Sequence, residues 1–155
     1  MIIHVQQRKP DLTPTGMTGC AAGRGYTVTH DCVLCDGKPY IYRMGELHYS
    51  RVPEQDWETE LRKMKAGGID VIASYVFWNH HESREGVFDF TGRRDIRRFA
   101  DTCAALGLPF FLRIGPWAHG EARYGGFPDW LMEKKLRLRS LDSAYMAYVR
   151  RLYTR

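Results

Sequence analysis

IDVIASYVFW, Ile69 to Trp78, decides the fold. It is an apolar, β-branched run with no polar alternation, the pattern of a strand covered on both faces in a parallel sheet. A second such run, PFFLRI, spans Pro109 to Ile114. Between the two, Ile96, Phe99, Ala100, Cys103 and Ala104 recur at helical spacing, and Gly107 stops that helix. Upstream, Trp57, Leu61 and Met64 mark another helix, with Pro53 in its first turn and Gly67-Gly68 at its end. Downstream, Asp142 is placed to cap a last helix that carries Tyr145, Tyr148, Val149 and Leu152 on one face. Ahead of all this, TVTHDCVLC and KPYIYRM read as two strands joined at Asp36-Gly37, a strong hairpin turn. GELHYSRVP follows as a loop.

The order is a hairpin, then strand and helix repeated three times. Such alternation predicts an α/β fold with a parallel sheet. The connections after the strands are long and chemically rich, and those after the helices are short. That asymmetry belongs to a TIM barrel, whose active site sits on the loops after the strands. A whole barrel takes about 250 residues, so the prediction is a partial (β/α)8 barrel, roughly its first three units after a β-hairpin. A small open α/β sheet is the structural alternative. It lacks a glycine-rich phosphate loop, since Gly23-Arg24-Gly25 opens no helix. Residues 1–24 have no period and are expected to form a poorly structured tail, with the domain proper at 25–155.

The chain has 155 residues, 44% hydrophobic, 26% charged and 13% aromatic, which is a globular composition rich in rings. Net charge is +5, but Arg and Lys are scattered, and the densest stretch, Lys134 to Arg139, has no interleaved aromatics. A solvated face is expected there, not a nucleic-acid partner. Cys32 and Cys35 form a lone C-x-x-C in a strand-like stretch, and with Cys20 and Cys103 they offer no second pair. No metal site, redox site or cofactor is expected. No run reaches the 18 or so apolar residues of a membrane span, and MIIHVQQRKPDL has no apolar run of signal-peptide length, so no signal peptide is expected. A cytoplasmic protein without a membrane partner is the default expectation.

Three clusters follow the strands: GELHYSRVP (45–53), SYVFWNHHE (74–82) and GPWAHGEARYGGFP (115–128). Each mixes carboxylates, imidazoles or amides with aromatic rings. That mixture suits a sugar, with polar groups for hydroxyls and rings for the apolar C–H face.

The runs DGKPYIYRMGELHYSRVPEQDWETELRKMKAGGIDVIASYVFWNHHE and GVFDFTGRRDIRRFADTCAALGLPFFLRIGPWAHGEARYGGFPDWL resemble glycoside hydrolase family 35, the β-galactosidase family, from roughly Val33 to Tyr148. The resemblance implies a TIM barrel that releases terminal β-linked galactose. It makes Tyr75 and Glu121 substrate-contacting residues and Gly120 the small residue beside the glutamate. Asn79 and Glu82 belong to a motif that shapes the pocket floor. His48, His81 and His119 are expected to orient neighbours. The sequence also departs from the family: Ala122-Arg123 replaces an aromatic-acidic pair, His119-Gly120 stands for a common Cys-Ala, and Ser83 for proline. A retaining glycosidase needs two carboxyl groups about 5 Å apart. The family's acid/base lies in an Asn-Glu pair on the fourth strand, and this chain has no Asn-Glu dipeptide. Both catalytic glutamates are therefore expected beyond Arg155. A truncated hydrolase, inactive alone and prone to self-association at an open barrel edge, is the first reading. A non-catalytic carbohydrate-binding or chain-associating module is the second.

Overall fold

The structure is a computed structural model and describes residues 8–21 and 23–155. It divides into two compact units, the second beginning at Met44. The first unit is an antiparallel sheet of β1 (Pro14–Ala21), β2 (Arg24–Thr29), β3 (Val33–Cys35) and β4 (Lys38–Tyr40), in that order across the sheet. Asp36 and Gly37 both have positive φ, 49° and 78°, as the tight turn between β3 and β4 requires.

The expected tail through residue 24 is corrected over 14–21. β1 pairs along β2, with Gly19 opposite Tyr26 and Cys20 opposite Gly25. The Thr15 hydroxyl donates to the Val28 carbonyl at 3.0 Å. A strand of Gly, Thr and Met exposed to water has no apolar alternation to announce it. Its partner's backbone makes it a strand. Residues 1–7 of the expected tail lie outside the described residues.

The second unit carries a parallel sheet of β5 (Met44–Glu46), β6 (Val71–Tyr75) and β7 (Phe110–Arg113), ordered as in the sequence. Helices α1 (Trp57–Ala66) and α3 (Ile96–Ala105) make the crossovers. The short α2 (Trp78–His81) follows β6, and α4 (Asp129–Glu133) and α5 (Ser143–Tyr153) follow β7. Mixed α/β architecture with alternating strands and helices is as the sequence predicts.

One core cluster joins Tyr49, Trp57, Leu61, Ile72, Phe99 and Cys103 between the helices and the sheet. Gly45 lets Met64 of α1 pack closely on β5, since a Cβ there would meet the Met64 methyl at 2.5 Å and Ile69 at 3.0 Å. A second cluster joins Trp78, Phe127, Leu131, Tyr145, Val149 and Leu152. Asp95 caps α3 by accepting from Arg98 N–H, and Asp142 caps α5 by accepting from Ala144 and Tyr145 N–H. Each cap contributes about 1 kcal/mol. Among the described residues no helix is long and apolar enough to cross a membrane.

Candidate functional site

In the parallel register Tyr75 lies opposite Arg113, so two strand ends bring their side chains together. The Arg113 guanidinium carbon stands 3.7 Å from the centroid of the Tyr75 ring. Arg113 also binds the Glu46 carboxylate at 2.6 Å, from the end of the third strand. The carboxyl edge of the sheet is thus a row of acid, phenol and guanidinium. The Arg113 guanidinium beside it holds the Glu46 carboxyl below the usual carboxylate range.

His48 completes the row. Its Nδ1 accepts the Tyr75 backbone N–H at 3.3 Å. An N–H can only donate, so the ring proton lies on Nε2, which contacts Glu46 Oε1 at 2.9 Å. Burial pushes the imidazole pKa down, against the pull of Glu46.

Above this edge lies a cavity of about 490 Å³ lined by Glu46, His48, Arg51, Trp117, Gly120 and Glu121, among others. Gly120 is buried, and a Cβ there would stand 2.9 Å from Phe77 and 3.1 Å from Tyr75. Only glycine lets the loop lie flat on those rings. The Gly120 carbonyl accepts from Arg51, whose guanidinium stacks on Phe77 at 5.3 Å. Gly125 is likewise closed to a side chain by the Trp117 indole. Ala118 N–H donates to the Gly125 carbonyl at 2.7 Å and closes the loop.

Glu121 stands on this loop with φ of 53°, a left-handed conformation that is costly for a side-chain-bearing residue. Its carboxylate is exposed at the cavity and has no hydrogen-bond or ion-pair partner among the described residues. Strain held at a rigid loop beside a cavity is a mark of functional sites.

The five residues singled out from the sequence separate into groups. Gly120 and Glu121 line the cavity, and Tyr75 supports it from beneath Gly120. Asn79 is half-buried in α2 and does not line it. Glu82 is fully buried, away from the cavity lining. Its Oε2 accepts from Trp78 Nε1 at 2.6 Å, and its Oε1 accepts from Gly86 N–H at 2.7 Å and from Arg151. Trp130 Nε1 donates to its backbone carbonyl at 2.9 Å. Glu82 thereby ties α5 and α4 to the end of α2.

The three histidines have different surroundings. His81 is buried between the Tyr49 hydroxyl, 2.6 Å from Nε2, and the Asp89 carbonyl, 3.1 Å from Nδ1. A carbonyl only accepts, so the proton sits on Nδ1, and Tyr49 donates to Nε2. Burial lowers this imidazole's pKa to about 4. The His119 ring lies tilted against Trp117, with centroids 5.3 Å apart. Glu46 and Arg113 received no role from the sequence. The available signal was a carboxylate and a cation at the carboxyl ends of strands.

The model of the family "Glycosyl hydrolases family 35" matches residues 32–155. A beta-galactosidase of Pongo abelii is 43% identical over 141 residues, covering 89% of this chain and 21% of that protein. One of Xanthomonas manihotis is 42% identical over 113 residues, covering 72% and 19%. A beta-galactosidase-1-like protein of Mus musculus is 39% identical over 132 residues, covering 83% and 20%. The chain spans about a fifth of the length of these relatives. The matched segment holds the whole parallel sheet, the cavity loop and Glu121, and the chain belongs to glycosyl hydrolases family 35.

Proposed function

We propose that this chain is the sugar-holding part of a β-galactosidase-like glycosidase, built as the first three βα units of a (β/α)8 barrel. Its ligand is a terminal β-linked galactose. The observation that carries the reading is Glu121, an unpartnered carboxylate on a strained, glycine-locked loop at the cavity. A carboxylate so placed accepts hydrogen bonds from sugar hydroxyls, each worth about 1.5–3 kcal/mol when charge-assisted. Gly120 lets the Glu121 loop lie against Phe77 and Tyr75, so Tyr75 borders the same loop. Asn79, on α2 outside the cavity lining, and Glu82 both act through position, and Glu82 holds the helices packed around that segment.

In the whole protein the reaction is retaining, with a nucleophile and an acid/base about 5 Å apart. Both belong to strands other than the three described. The 155-residue chain alone therefore binds galactose without cleaving galactosides. The test is a calorimetric titration with D-galactose and D-glucose, beside a chromogenic β-galactoside assay. Saturable binding that favours galactose, with no turnover, is expected. Binding of neither sugar would overturn the reading, and turnover would overturn the assignment of the reacting carboxylates.

The chain-associating reading draws on a different observation. Phe111, Leu112 and Ile114 are exposed along β7, which among the described residues pairs only with β6. An open apolar edge accepts another strand.

A further inference from the structure

Glu46 and Glu82 are both carboxylates at the carboxyl end of the sheet region, but they are satisfied differently. Glu82 is fully buried and both its oxygens are occupied. Glu46 uses one oxygen. Oε1 receives His48 Nε2 at 2.9 Å and Arg113 at 2.6 Å. Oε2 has no contact of this kind among the described residues, and the side chain is 43% exposed where it lines the cavity.

The groups that hold Oε1 are themselves fixed. Arg113 is stacked on Tyr75, and His48 is held by the Tyr75 N–H. The carboxylate is therefore oriented before any ligand arrives, which removes the rotamer entropy that binding would otherwise cost.

Resting on the sugar-site reading above, we propose that Glu46 is a second sugar-holding carboxylate. Its Oε2 accepts hydroxyl protons of a neutral sugar, in the cavity that Glu121 also lines. The ligand class follows from the donor and acceptor inventory: two carboxylates on one cavity accept from hydroxyls, and neither has a proton to give the carboxylate of a sugar acid, although Arg113 and Arg51 balance their charge. Arg51, the cation on the same cavity lining, is engaged with the Gly120 carbonyl and the Phe77 ring.

The experiment compares the 155-residue chain with its Glu46→Gln and Glu121→Gln variants by NMR titration, using D-galactose and D-galacturonic acid. The unaltered chain is expected to prefer galactose by about tenfold or more, the size of one charge-assisted contact. Glu46→Gln should weaken galactose at least about fivefold and narrow the galactose-to-galacturonate ratio by a similar factor. A merely structural Glu46 would weaken both sugars alike, leaving the ratio unchanged, and that result overturns the proposal. If Glu121→Gln abolishes galactose binding while Glu46→Gln behaves as the unaltered chain, this inference falls and the sugar-site reading stands. If the unaltered chain binds neither sugar, both fall.

Discussion

The guanidinium of Arg113 lies 3.7 Å over the ring of Tyr75, and the two residues are register partners at the ends of β7 and β6. Strand register, not loop conformation, sets this contact, so the base of the cavity is as rigid as the sheet. Glu46 adds the third strand to the same assembly at 2.6 Å.

Arg113→Met should lower stability by about 1–2 kcal/mol. It removes the cation–π stack and a partly exposed ion pair while keeping most of the aliphatic bulk. Urea unfolding followed by far-UV circular dichroism measures it. An unchanged midpoint would mean the stack has no energetic consequence.

His81 predicts a specific acid sensitivity. Its folded pKa is about 4, against about 6.5 in an unfolded chain. The unfolded state thus takes the proton first as pH falls. The contribution is complete above pH 6.5 and is lost between 6.5 and 4, about 3 kcal/mol in total. The difference in unfolding free energy between the unaltered chain and His81→Gln should shrink by that amount across the window. Parallel curves would contradict the assignment of a neutral, buried imidazole.

Glu82→Gln should destabilise by about 3 kcal/mol, because it leaves Arg151 against a neutral amide within the Trp78 and Trp130 cluster. Galactose affinity per folded molecule should stay near its original value. Loss of affinity without loss of stability would restore Glu82 as a ligand contact.

These three residues show what was legible in the sequence. β6, α3, the Asp36-Gly37 turn and the Asp142 cap announce themselves, since each depends on residues within one short window. The cavity loop was recognisable from its glycines and Glu121. β5 is not, being three residues long with a glycine in its centre: its Met44 falls at the end of the KPYIYRM run, which the structure divides between β4 and β5, and its Gly45-Glu46 falls in the loop pattern GELHYSRVP. Glu46 lost its role with it. Glu82 looked like a loop acid because its partner Arg151 is 69 positions away. The pairing of β1 was equally invisible, since its exposed small residues take their conformation from β2.

The β7 edge predicts concentration-dependent association. Phe111 in β7 is 49% exposed and Ile114 just after it 46%, and such a patch at an edge strand recruits other strands. Sedimentation velocity should show mass rising with concentration, and Phe111→Lys with Ile114→Lys should return the chain towards monomer. A monodisperse monomer for the unaltered chain would rule out association through this edge.

The central claim is that Glu121 holds sugar and not structure, and galactose affinity measured beside melting temperature in Glu121→Gln tests it most directly. The exposed carboxylate has no partner to lose among the described residues, so melting should shift by no more than about 1–2 °C, a few tenths of a kcal/mol for a chain of this size. Affinity should fall at least about tenfold, roughly 1.4 kcal/mol, for one charge-assisted hydrogen bond weakened. A lowered melting temperature with unchanged affinity would contradict the account and remove Glu121 from the site.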